Sequence, residues 1–237
     1  MAIPIEDESI PVGEMKLAAA RNALELVQPG VLLGVGSGST VWAFLDLLGK
    51  SGIHVPAAVA ASAESAHRLA ALGIEVLDLG DLRPPVYIDG ADEIDFFGRA
   101  IKGGGAAHTR EKAIATASEY WACIVDASKV VIELGHAPVP LEVTRQALPT
   151  VFATLAELDA SAVEREGVLT DAGNPVLDVR GLDLSDPLAL EDMLDGIPGV
   201  LGNGIFARRT ADLIVVGNRT GGVERILPHG EGENLAS

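Results

Sequence analysis

Apolar and polar positions along the first half of the chain alternate between two periods. "GEMKLAAARNALELV" (13–27) carries apolar residues at helical spacing and stops at Pro29-Gly30. "VLLGV" (31–35) is a short continuous apolar run, the pattern of a buried strand. "STVWAFLDLLGK" (39–50) is helical again, with Ser39 or Thr40 placed to cap it. The rhythm then repeats, with strands predicted at 55–61, 74–79, 85–89 and 120–126 and helices at 62–73 and 106–119. Strands separated by helices predict an α/β fold whose sheet is mostly parallel and covered on both faces.

After Asp126 the texture changes. "GHAPVPLEVTRQALP" is punctuated by proline, and beyond it the pattern predicts a helix at 151–158, strands at 162–169 and 176–179, and a helix at 187–194. Residues 131–203 therefore read as a small α+β domain inserted into a larger one made of 1–130 and 204–237. "GIFARRTADLIVVGN" predicts a turn and a last strand returning to the first sheet, and the tail "LPHGEGENLAS" is expected to be loose. Internal repeats and low-complexity segments are absent.

With 237 residues, 48% of them hydrophobic, and a mean hydropathy of +0.31, the chain can bury a large core. Its 34 acidic and 17 basic residues give a net charge of −17, which repels phosphate backbones and anionic membranes and makes both poor partners. Only five residues are lysine, at 16, 50, 102, 112 and 129. A lysine retained in such a chain draws notice, because an ammonium is a compact charge that arginine does not copy in a tight site. Cys123 is the single cysteine, within the strand-like "YWACIVD", so a disulfide framework is ruled out and a core thiol is expected. Trp42 and Trp121 read as core. No apolar run approaches the roughly 18 residues of a membrane span, and "MAIPIEDESIP" is acidic rather than a basic leader, so a cytoplasmic setting is expected.

In open α/β sheets, ligands sit beyond the carboxyl ends of the strands, and three loops fall at such ends here. "GVGSGST" (34–40) joins a strand to a helix, and its amides and the hydroxyls of Ser37, Ser39 and Thr40 suit an anion at the helix N-terminus. It fits neither the dinucleotide fingerprint, since Ser39 takes the third glycine's place, nor the triphosphate loop, since no lysine follows. A small phosphate cradle or a plain tight turn remains. In "YIDGADEID", Asp89 ends a strand and Asp92, Glu93 and Asp95 crowd behind it. Such density raises some carboxylate pKa values and suits proton transfer or sugar hydroxyls, with an acidic solvated turn or a cation site as the alternatives. In "KGGGAAHTREK" the lysine precedes the glycines, the reverse of a triphosphate loop, and Glu111 stands near the start of the following helix. Amides exposed beside a lysine suit a developing oxyanion; the plain alternative is a surface linker.

Taken together and in this order, "GVGSGST", "DGADEID", "KGGGAAHTREK" and "DASK" resemble the A-type ribose-5-phosphate isomerase family, and the likeness runs over nearly the whole chain. The resemblance implies a Rossmann-like α/β domain with a smaller α+β domain, a homodimer or dimer of dimers, and an aldose-ketose isomerase using neither cofactor nor metal. It puts the proton acceptor on Glu111. Substrate contacts fall on Ser37, Gly38, Ser39, Thr40, Asp89, Gly90, Ala91, Asp92, Lys102, Gly103, Gly104, Gly105 and Lys129, with Lys16 near the phosphate. Lys102 and the three glycine amides would then hold an enediolate oxygen, Asp89 would move protons among oxygens, and Asp92 would orient a hydroxyl. The likeness loosens at His108, where an apolar residue is usual, at "LDASAVEREG", and in a longer N-terminus. His54, His67 and His136 lie outside every motif and are expected at the surface. A non-catalytic sugar-phosphate sensor would dispense with Glu111, and a CoA-transferase relative would form a glutamyl adduct; both are alternatives to an isomerase.

Overall fold

The computed structural model describes residues 10–228; the acidic start and most of the predicted loose tail lie outside them. From the N-terminal side the elements are α1 (Val12–Ala23), β1 (Leu33–Val35), α2 (Ser39–Ser51), β2 (Ala57–Ala60), α3 (Ala63–Ala71), β3 (Glu75–Leu77) and β4 (Val86–Asp89). Two short strands, β5 (Glu93–Ile94) and β6 (Ala100–Ile101), precede α4 (His108–Ala117) and β7 (Tyr120–Asp126). Then come β8 (Val139–Val143), α5 (Leu148–Glu157), β9 (Ser161–Leu169), β10 (Pro175–Arg180), α6 (Pro187–Asp195), β11 (Val200–Asn203), β12 (Ile205–Phe206), β13 (Leu213–Gly217) and β14 (Val223–Ile226).

Seven strands form the main sheet in the order β14-β13-β7-β4-β1-β2-β3. All its pairs are parallel except the edge pair of β13 with β14. Successive side chains of a strand face opposite ways, and here both faces are apolar. Ile88 and Ile124 pack with α1 and α2 side chains such as Ala19 and Phe44, while Tyr87, Trp121 and Cys123 pack with Ile114 of α4 and Phe206. This double coverage is why the strands read as continuous apolar runs. Burial raises the Cys123 thiol to about 12, so it is the inert core thiol expected.

A separate antiparallel sheet, β11-β8-β10-β9, and a small one, β12-β6-β5, complete the fold. Several of these strands escape the sequence pattern. β8 lies within the proline-punctuated stretch and is fully buried, paired on both sides by β10 and β11. Pro140 within it cannot donate to a ladder, which is what argues against a central strand on sequence alone. Trp42 departs from expectation too: it is half-buried, with the Arg68 guanidinium 4.9 Å over its ring, whereas Trp121 is fully buried.

Candidate active site

Strand order reverses beside β1, with β2 and β3 on one side and β4, β7 and β13 on the other, so a crevice opens beyond the carboxyl ends of β1 and β4. Loops after β1, β4 and β7 meet the glycine run there around a cavity of ≈ 190 Å³, smaller than the roughly 300–1,000 Å³ of a drug-sized pocket. Lys16, residues 37–40, 90–92 and 102–105, Glu111 and Lys129 all line it. Asp89 alone among the candidates lies beneath the wall, fully buried.

The β1 loop rests on that buried carboxylate. A Cβ at Gly36 would stand 1.9 Å from Asp89 Cγ, so only glycine lets the chain pass. The Ser37 amide then donates to Asp89 Oδ1 at 3.0 Å and its hydroxyl to Glu111 Oε1 at 2.5 Å. The expected cap by Ser39 or Thr40 is not made: the N-cap is Gly38, without a side-chain cap. Ser39 instead opens the helix and accepts from Lys16 Nζ at 2.9 Å. The first turn of α2 is thereby left open toward the cavity, where its amides and dipole favour an anion.

Asp89 accepts from the Gly90 amide at 2.7 Å, from the Tyr87 hydroxyl, and from Lys102 Nζ at 2.7 Å. Burial pushes its carboxyl up to about 6, Glu111 pushes the same way, and Lys102 and Tyr87 oppose them. Lys102 is 3% exposed; it also donates to the Gly90 carbonyl and lies 3.3 Å from Glu111 Oε2. Burial alone would lower its ammonium pKa, but Asp89 and Glu111 reverse that and hold it above the ordinary value. Glu111, in the first turn of α4, is likewise buried. Its helix is moored by Lys112, whose Nζ reaches Glu191 Oε1 (2.6 Å), Asn203 Oδ1 (3.2 Å) and the Ile205 carbonyl (2.7 Å).

Two expectations need correction. The carboxylates of "DGADEID" do not crowd one another. Glu93 accepts amide protons from Gly135 and Ala137, and Asp95 accepts those of Phe97 and Arg99 and pairs with the Arg99 side chain at 2.7 Å. Burial and Glu111, rather than neighbours in sequence, raise Asp89. The glycine run also does not present three open amides, because the Gly104 N–H donates to Asp92 Oδ2 at 2.8 Å.

Sequence reasoning missed Tyr87 and Asp126. Tyr87 reads only as one more apolar strand position. Asp126, at the end of β7, lines the cavity and caps the turn leading to Lys129 by accepting from the Ser128 amide at 3.0 Å. His108, left without a role, is fully buried, and burial lowers its pKa to about 4 against the opposing pull of Glu142 and the Gly202 backbone. Among the described residues, no group of three or more His, Cys, Asp or Glu side chains is arranged to hold a metal ion, and no helix is long and apolar enough to cross a membrane.

A family model described as ribose 5-phosphate isomerase A (phosphoriboisomerase A) matches residues 57–221. The ribose-5-phosphate isomerase A of Acidithiobacillus ferrooxidans is 49% identical over 214 residues, covering 89% of this chain and 97% of that protein. The chain belongs to the ribose 5-phosphate isomerase A family. The resemblance carried by the four motifs therefore holds. Among solved structures, ribose 5 phosphate isomerase A from Neisseria gonorrhoeae matches with a TM-score of 0.91 at 41% identity, over 94% of this chain and 100% of that one. A D-ribose-5-phosphate isomerase in complex with phospho-erythronic acid matches at 0.87 and 36% identity, over 92% and 100%. The family's α/β fold, with its large and mostly parallel sheet, is the one described above.

Proposed function

We propose that the chain interconverts D-ribose 5-phosphate and D-ribulose 5-phosphate through an enediolate, with Glu111 as the base. One observation carries this reading beyond family membership: a buried carboxylate and a buried ammonium, Glu111 and Lys102, stand 3.3 Å apart on the wall of a cavity that also holds Lys16, Lys129 and the open start of α2. A carboxylate positioned for proton transfer typically contributes about 10²–10⁴-fold.

In the open-chain aldose, Glu111 takes the proton from C2, and the C1 carbonyl oxygen gains the charge of the enediolate. Lys102 Nζ and the Gly105 amide hold that oxygen. The carboxyl returns a proton to C1, and the O2 hydroxyl proton passes to O1, which leaves the ketose. Asp92 orients a hydroxyl, and Asp89 keeps Lys102 charged and in place. Lys16, Lys129, Ser39, Thr40 and the α2 amides hold the phosphate, a remote contact that fixes the sugar for reaction. The phospho-erythronic acid bound by the 36% identical relative combines a phosphate with a planar anionic group, as an enediolate phosphate does, and so supports the same assignment.

The reading extends to a division into 1–130 with 204–237 and 131–203, to a homodimer or dimer of dimers that light scattering would detect, and to a cytoplasmic location. Its test is ribose 5-phosphate in heavy water with EDTA present. Ribulose 5-phosphate should form with deuterium at carbon, and Glu111→Gln should bind the sugar phosphate yet lose at least about 10²-fold in kcat. Absence of conversion by the unaltered protein would refute the activity, and a fully active Glu111→Gln would refute the base.

A further inference from the structure

Three consecutive glycines form a loop whose internal turn bond runs from the Ala106 amide to the Gly103 carbonyl at 2.9 Å. Gly103 has a φ of +108°, a region that glycine enters and leaves at almost no cost, and no bond within the loop reaches the Gly104 carbonyl, so the direction of the Gly104–Gly105 peptide plane is set from outside. The carbonyls of Gly103 and Gly104 both accept from Arg165 Nη1, at 3.1 Å each. Arg165 stands on β9, an edge strand of the separate antiparallel sheet. The rest of its guanidinium is held fork to fork by Asp178 of β10, with Nε to Oδ2 at 2.9 Å and Nη2 to Oδ1 at 2.5 Å.

In a trans peptide the carbonyl and the following N–H point in opposite directions within one plane, and no cis peptide occurs among the described residues. Anchoring the Gly103 carbonyl therefore aims the Gly104 N–H away from Arg165, where it meets Asp92 Oδ2 at 2.8 Å. Anchoring the Gly104 carbonyl does the same for the Gly105 N–H. Gly105 lines the cavity, and its N–H has no partner among the described residues. The hairpin of β9 and β10 is itself braced: Asp171 at its tip accepts from the Ala63 amide at 2.7 Å and from Arg110 Nη1 at 3.4 Å. Thr170 and Asn174 both donate to Glu142 of β8 at 2.8 Å.

We propose that Arg165 is a positioning residue for the reaction, fixing two successive peptide planes so that the Gly105 amide faces the substrate oxygen and the Gly104 amide orients Asp92. This rests on the isomerase reading above. It gives the β9–β10 hairpin a part in the chemistry although none of its residues lines the cavity. Lysine cannot replace arginine here, because one ammonium cannot bridge two carbonyls while also pairing bidentately with Asp178.

The test is Arg165→Met in the full chain, which keeps much of the apolar stem and removes the fork. Misdirecting one oxyanion donor costs about 10²–10³ in kcat at the most, so kcat should fall at least about tenfold while KM, set at the phosphate end, moves less than about threefold. Added methylguanidinium should restore part of kcat, and the inhibition constant of phospho-erythronic acid should rise in step with the loss in kcat/KM. A residue serving only the hairpin's stability would lower the melting temperature and leave kcat unmoved. Full kcat in folded Arg165→Met overturns the proposal, and if that variant does not fold, full kcat in Asp178→Asn does so. If the unaltered protein fails to turn over ribose 5-phosphate, it is the isomerase reading that fails. The clamp is then judged by hydrogen exchange of the Gly104 amide, which donates to Asp92 Oδ2 and is expected to quicken at least about tenfold in Arg165→Met; unchanged exchange overturns it.

Discussion

Replacing Tyr87 with phenylalanine removes one hydroxyl and tests whether Asp89 sets the lower pH limit of the reaction. That hydroxyl donates to Asp89 Oδ2, the oxygen that also meets Lys102 Nζ at 2.7 Å. The ring stays in place, packed against Trp121 with centroids 6.4 Å apart, so the change is confined to one donor. Burial and Glu111 raise the Asp89 carboxyl to about 6, with Lys102 and Tyr87 holding it down. Losing a donor that favours the charged form moves the pKa further up. A hydrogen bond to a charged acceptor is worth about 1.5–3 kcal/mol and a pKa unit about 1.36 kcal/mol, so the expected rise is about 1–2 units. The acidic limb of kcat/KM, which reports the free enzyme, should move from about 6 to roughly 7–8 in Tyr87→Phe. The rate at pH 9 should stay within a few-fold of the unaltered protein. The assay is initial-rate isomerisation of ribose 5-phosphate between pH 5 and 9. A limb that stays in place, or moves to lower pH, refutes the assignment of that limb to Asp89.

Gly36→Ala sets a methyl group 1.9 Å from Asp89 Cγ between strand ends joined by the Gly36 amide and the Ile88 carbonyl (2.9 Å). Overpacking of this kind costs about 1–3 kcal/mol. Both the urea midpoint and kcat should fall as Asp89 and Lys102 shift, and a variant with unaltered midpoint and rate would show that the contact is not enforced. His108 supplies a stability test of opposite sign to Asp89. Its native pKa is about 4 against an ordinary 6.5, so its neutral form contributes stability that is present above 6.5 and lost as pH falls through 4. His108→Leu removes that sensitivity, and its stability advantage over the unaltered protein, read from urea unfolding, should be larger at pH 4.5 than at pH 8 by about 2–3 kcal/mol. A difference independent of pH would refute it.

The main sheet is legible in the sequence because its strands are buried on both faces and separated by helices, so period and apolar content agree along 31–126. β8 is not, because Pro140 speaks against a strand and only pairing with β10 and β11 outweighs it. The three loops of the site are legible for the same reason as the sheet: each follows a recognisable strand or opens a recognisable helix. What each loop does is less so. "DGADEID" reads as one acidic cluster, yet the turn after Gly90 sends Asp92 to the Gly104 amide, Glu93 to the amides of Gly135 and Ala137, and Asp95 to the β5–β6 turn.

The contacts hardest to read are those that hold the site's donors in place. Tyr87 reaches Asp89 from the same strand face, and in a sequence that pair is only an alternation of buried positions. Arg165 lies 62 residues from Gly103 in a stretch that reads as looser than its relatives, and no local pattern joins an edge-strand arginine to a glycine loop. The three glycines give the loop its close approach to the cavity, and its own turn bond from the Ala106 amide holds the Gly103 carbonyl but leaves the next peptide plane unfixed. A loop of this composition calls for an external anchor with two donors, and the antiparallel sheet presents one. That sheet is therefore tied to the reaction by a specific demand of the glycine run.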